Sequence, residues 1–141
     1  MVFTDKVVRN ISIIILFNDE KKILLQLKDE GHERYPNYWC FFGGDIEDGE
    51  TPENAVHREI LEEVDYKLNN PRKIMVYSFN FDSFSGNIHI FIEKYNNNYL
   101  LTLNEGKDFG WFDMGSALKL RLTPNTRGIL VYLIKNCREL R

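Results

Sequence analysis

Glu59, Glu62 and Glu63 stand at i, i+3 and i+4 of one short stretch of the chain. If that stretch is helical, at about 100° per residue, the three carboxylates fall within roughly 100° of one another on its surface. Unpartnered, such a trio repels itself, by a few tenths of a kcal/mol per exposed pair and more if partly buried. A hard divalent cation with oxygen ligands relieves that repulsion. Arg58 lies one turn from Glu62, where a guanidinium can hold a carboxylate in a fixed orientation. Glu50, ahead of the stretch, is placed to meet that arginine or a ligand. Gly43-Gly44 lets the backbone turn and present a bare carbonyl. For the three glutamates alone, an acidic face that binds nothing is the plainer reading.

Those side chains need a scaffold. Thr51 is a good N-cap, Pro52 suits the first helical position, and Glu50 and Glu53 complement the helix dipole, so the spacing predicts a helix over Pro52–Val64. Its Val56, Ile60, Leu61 and Val64 share a broad face that should pack on a sheet. Val7–Phe17 and Ile23–Leu27 read as strands across a polar turn, and Tyr38–Phe42 as a short aromatic strand running into the glycine pair. Lys28–Asn37, with Gly31 and Pro36, reads as a surface loop. Lys73–Phe81 and Asn87–Tyr95 read as a hairpin across residues 82–86. Phe109–Phe112 closes the strands; a short helix at Met114–Leu118 and a longer one at Asn125–Cys137 follow. No repeat or linker interrupts this, which predicts one mixed α/β domain over residues 1–141.

The 141 residues suffice for a core without disulfides or a structural metal. With 18 basic and 21 acidic residues, the net charge of −3 offers no general field for a nucleic acid backbone. An acidic protein acting on a phosphorylated substrate needs bridging cations. Cys40 and Cys137 are far apart and read as reduced thiols, and His32, His57 and His89 lack metal-ligand spacing. Residues Met1–Asn10 lack the profile of a signal peptide, and the longest apolar run there, Ile13–Phe17, is far too short to span a bilayer. A cytoplasmic protein without membrane or nucleic acid partners is the expectation.

The segment from Gly44 to Tyr66 resembles the Nudix box, G-x5-E-x7-R-E-U-x-E-E-x-G-U with U aliphatic. Gly44, Glu50, Arg58, Glu59, Ile60, Glu62 and Glu63 occupy its positions at the required separations. Two positions depart. Asp65 and Tyr66 replace the late Gly and aliphatic residue; Asp tolerates the left-handed C-cap conformation, at a cost of order 1 kcal/mol. Phe42 stands where many members have Pro, which bears on the pocket wall.

The resemblance implies a Nudix fold, an α/β/α sandwich around a mixed β-sheet. It implies Mg²⁺, with Mn²⁺ able to substitute, held by the Gly43 carbonyl, Glu59, Glu62 and Glu63. Glu105, ahead of Trp111, matches a distal-loop glutamate of MutT-type enzymes that completes the site; the plainer alternative is an ordinary loop carboxylate. Glu62 or Glu59 would be the general base, with Glu105 as rival and Arg58 orienting. By the same resemblance Lys28 would meet the substrate, Phe41 would flank its base and Asn125 would read it. The plainer alternatives are a loop lysine, a core residue and an N-cap. The implied reaction is hydrolysis of a nucleoside triphosphate to monophosphate and pyrophosphate. Alternatives are a dinucleotide polyphosphate or nucleotide-sugar substrate, or a nucleotide-sensing domain without turnover. A homodimer is common among similar proteins.

Overall fold

The computed structural model describes residues 7–81 and 83–141. Of Met1–Asn10, expected to lack a signal-peptide profile, residues 1–6 lie outside that range, as does Asp82 in the expected hairpin loop.

Strand β1 (Val7–Phe17) is the axis of a seven-stranded mixed sheet. Along one edge it runs parallel to β6 (Phe84–Lys94), in register from Val7 opposite Phe84 to Phe17 opposite Lys94. β5 (Arg72–Asn80) pairs antiparallel outside β6. Along its other edge β1 meets β4 (Phe42–Asp45) antiparallel, Ile13 opposite Gly43 and Ser12 opposite Gly44. Its end turns back into β2 (Ile23–Leu27), which pairs with β3 (Trp39–Cys40) and with β7 (Asp108–Phe112).

The unbroken apolar run of β1 is explained by burial on both faces. Ile13 and Ile15 join Leu25, Ile88 and Ile90 on one face, under α3 (Pro124–Asn136) with its Ile129, Leu130 and Leu133 and beside α2 (Met114–Ala117). Ile14 and Leu16 join Leu24, Phe42 and Phe91 on the other, under Val56, Ile60 and Val64 of α1 (Pro52–Val64). The architecture is therefore the α/β/α sandwich around a mixed sheet that the sequence suggests.

The bounds of α1 agree with the spacing. Thr51 Oγ1 accepts from Asn54 N at 3.1 Å, and Asp65 closes the helix in the left-handed region (φ 55°, ψ 31°), donating its N–H to the Leu61 carbonyl at 3.0 Å. Buried Ser12 donates to the Pro52 carbonyl at 2.8 Å, fixing the start of α1 to the middle of β1.

Three expectations need correction. Leu61 does not share the buried face of α1: it is 50% exposed, because it stands about 140° round the helix from Val56, whereas Ile60 and Val64 stand within about 80° of it. Tyr38–Phe42 is not one strand: Trp39–Cys40 pairs with β2 and Phe42–Asp45 with β1, so the segment changes partner at Phe41. The loop at 82–86 is also too long, because β6 already begins at Phe84. Parallel pairing with β1 extends the strand through Gly86, where a Cβ would sit 1.8 Å from the Arg9 carbonyl oxygen. Only glycine allows the two strands to approach so closely there.

Candidate active site

The glycine pair of β4 and the middle of α1 meet on the edge of β1. A Cβ at Gly43 would lie 2.1 Å from the Ser12 carbonyl oxygen, and one at Gly44 would lie 2.6 Å from the Glu59 carboxylate. Bare backbone at both positions lets Glu59 lie against the strand. It also frees the Gly43 N–H to donate to Glu63 Oε1 at 3.0 Å.

Arg58 gathers the acids. Its Nε and Nη2 form a bidentate pair with Glu50 at 2.8 and 3.0 Å, and Nη2 also donates to the Asp45 carbonyl at 3.0 Å. Its Nη1 donates to Glu59 at 2.9 Å and more loosely to Glu62 at 3.4 Å. Glu50 therefore meets the arginine, one of its two sequence alternatives. The Arg58 hydrogen bonds, with one from Glu47 N–H, hold Glu50 down to about 2, and the same pairing raises Arg58 further above its ordinary value.

The two outer glutamates of the trio have opposite surroundings. The Glu62 side chain is 52% exposed. Glu63 is 3% exposed, its oxygens accepting from Gly43 N–H and from Gln26 Nε2 at 3.0 Å. Burial pushes the Glu63 carboxyl up to about 8 against the opposing pull of Gln26 and Lys28. Glu59 is raised by burial first, Arg58 pulls it down, and the charges of Glu62 and Glu105 raise it again. Glu105 thus stands close enough for its charge to be felt by Glu59.

Among the described residues, no three His, Cys, Asp or Glu side chains already converge as a metal cage. The donors nevertheless fit a hard divalent cation in kind. They are carboxylate and carbonyl oxygens, Glu62 and Glu105 each repel Glu59, and Glu62 and Glu105 are exposed enough to swing.

Beside Gly43 and Gly44 opens an apolar pocket of about 170 Å³, between the sheet and the start of α3. Phe41, Phe79, Phe84 and Ile88 form its walls, and Asn125, Lys28, Arg9 and Arg34 supply its polar groups. Among the described residues, no Asp or Glu lines it. Phe41 is 4% exposed and belongs to the core as well as to the pocket. Asn125 is not the N-cap of α3: Thr123 is, accepting from Thr126 N. Lys28 also lines the neighbouring groove that contains Glu105, so it stands between the pocket and Glu105. Tyr35 reaches the pocket, whereas Tyr38 packs edge-on against Tyr35 and carries the Arg121 guanidinium over its ring at 4.2 Å. A larger open groove, about 990 Å³ and lined by Tyr66, Asn69, Glu93 and Tyr95, contains none of the three helix glutamates.

Sequence reasoning missed Gln26 and Asn104. Gln26 had a signal, as the lone polar residue in Ile23–Leu27, and it lies 1% exposed beneath Glu63. Asn104 had none, since its side chain's partner is the Glu62 backbone carbonyl, 42 residues away.

The model of the NUDIX domain family matches residues 6–133. A Nudix hydrolase of Listeria innocua (serovar 6a) is 28% identical over 71 residues, which is 50% of this chain but only 42% of that relative's own length. The crystal structure of the MutT protein from Methanosarcina mazei Go1 superposes with a TM-score of 0.84 at 17% identity, over 95% of this chain and 98% of that one. The E. coli dihydroneopterin triphosphate pyrophosphohydrolase superposes with a TM-score of 0.76 at 19% identity, over 94% of this chain and 100% of that one. At those identities the likeness is one of fold.

Proposed function

Because the chain belongs to the Nudix domain family, we propose that it hydrolyses the pyrophosphate linkage of a nucleoside triphosphate, releasing monophosphate and pyrophosphate. One observation carries this reading: Arg58 holds Glu50, Glu59 and Glu62 beside a glycine pair that lines an apolar pocket.

Mg²⁺, or Mn²⁺ in its place, would be held by Glu59, Glu62, Glu63 and the Gly43 carbonyl, with Glu105 from the distal loop. When bound it neutralises phosphate charge and acidifies water. The nucleobase would occupy the pocket between Phe41 and Asn125. Lys28, between the pocket and Glu105, would receive the phosphates. Glu62 would take the proton as water attacks phosphorus in line: the new O–P bond forms, the bridging P–O bond breaks, and pyrophosphate leaves. Glu62 is favoured over Glu59 because Arg58 holds it at 3.4 Å rather than 2.9 Å and its side chain is half exposed. Arg58 itself, fixed by Glu50 and the Asp45 carbonyl, keeps Glu59 oriented.

A panel of nucleoside triphosphates, dinucleotide polyphosphates and nucleotide sugars, incubated with Mg²⁺ and resolved by phosphorus NMR, tests the proposal. Pyrophosphate and monophosphate from a triphosphate are expected. Absence of cation-dependent turnover across the panel contradicts it.

A further inference from the structure

We infer that Asn104 is a positioning residue that fixes Glu105 to the helix carrying Glu59, Glu62 and Glu63; the inference rests on the hydrolase reading for Glu105's role. The last carbonyls of a helix lack partners within it, and the last turn of α1 contains no basic residue to serve them. The segment 102–107 serves them instead. Thr102 N donates to the Val64 carbonyl at 2.9 Å, Asn104 N to the Glu63 carbonyl at 2.8 Å, and Asn104 Nδ2 to the Glu62 carbonyl at 3.1 Å. One residue thus grips the backbone of two of the helix glutamates, and its chain neighbour is Glu105.

The far side of Glu105 is tied as well. Gly106 turns the chain at φ +86°, with its Cβ position 3.2 Å from the Leu27 carbonyl oxygen. Lys107 N donates to that carbonyl at 2.9 Å. Lys107 Nζ bridges Glu30 at 2.8 Å and Asn37 at 3.2 Å, in the loop that follows Lys28. Glu105 is therefore an exposed carboxylate on a short span anchored at both ends, one anchor on α1 and the other on the Lys28 loop. The Asn104 side chain supplies one of the three bonds of the α1 anchor, and its loss loosens the span; displacements of about 1 Å are costly where a carboxylate must meet a reacting group.

The test is a double-mutant cycle between Asn104→Ala and Glu105→Gln, read by kcat and KM with Mg²⁺ and, separately, by Mn²⁺ affinity from the EPR signal of the free ion. Asn104→Ala should lower kcat and weaken Mn²⁺ binding by about 10-fold, the usual effect of disturbing a residue behind a ligand. KM should change little, and neither loss should recur in the Glu105→Gln background. Should Asn104→Ala fail to fold, the near-isosteric Asn104→Leu, which also cannot donate to the Glu62 carbonyl, carries the same cycle. An equal loss in both backgrounds, or no change in kcat and Mn²⁺ affinity, overturns the inference. If the wild-type protein hydrolyses no nucleoside triphosphate, the hydrolase reading fails by itself, and coupling in the Mn²⁺ titration still decides this one.

Discussion

Glu62 and Glu63 are neighbours in sequence with opposite electrostatics, and each makes its own prediction. Glu62 keeps an exposed carboxylate that Arg58 barely touches, as a proton acceptor needs. Glu62→Gln should lower kcat by at least about 10²-fold, the scale of a general base contribution, while the melting temperature stays close to that of the wild type. Glu63 is buried, and without a divalent cation its folded-state value of about 8 lies above the ordinary 4.5. A raised value means that the folded state binds the proton more tightly than the unfolded chain. Its stabilising contribution is therefore complete below about pH 4.5 and lost as pH rises towards 8. Denaturant titrations in EDTA should show the wild type losing at least about 1 kcal/mol across that window relative to Glu63→Gln. Parallel curves for the two proteins contradict this account of Glu63.

Helix α1 was legible in the sequence because its signals are local. Thr51, Pro52 and the Val56–Ile60–Val64 stripe fix its start and its buried face, and Asp65 marks its end. Asp65 sits in the left-handed region, where glycine has no Cβ penalty, so Asp65→Gly should raise stability by about 0.5–1 kcal/mol without altering kcat. Thermal unfolding of the two proteins checks it. Less of β3, β4 and β6 was legible, since non-local pairing sets their ends. The change of partner at Phe41 and the extension of β6 through Gly86 follow from where β1 and β2 lie, which no short window of sequence reveals. The same reasoning divides the site. The carboxylate spacing on α1 is a local pattern, but the grip of Asn104 on α1 and the burial of Glu63 over Gln26 are tertiary contacts.

In the whole molecule the site rests on a sheet clamped between helices, so its geometry depends on both cores. Ile60 is wholly buried between α1 and the sheet and adjoins Glu59 in sequence. Ile60→Ala should cost about 2–5 kcal/mol of stability, measured by urea unfolding. Binding of a cation and a nucleotide to the folded state alone should raise the melting temperature, and more together than singly. Among the described residues, no helix is long and apolar enough to cross a membrane. Under the proposed function, acidic side chains on α1 would meet a cation and a pyrophosphate beside Gly43-Gly44. The most direct test is a crystal grown with Mn²⁺ and a triphosphate analogue whose scissile oxygen is replaced by a methylene group, with the ions located by anomalous scattering. The account predicts manganese bound by Glu59, Glu62 and Glu63, touching the phosphates, with the base in the Phe41–Asn125 pocket. Manganese absent from those side chains, or an analogue bound elsewhere, contradicts it.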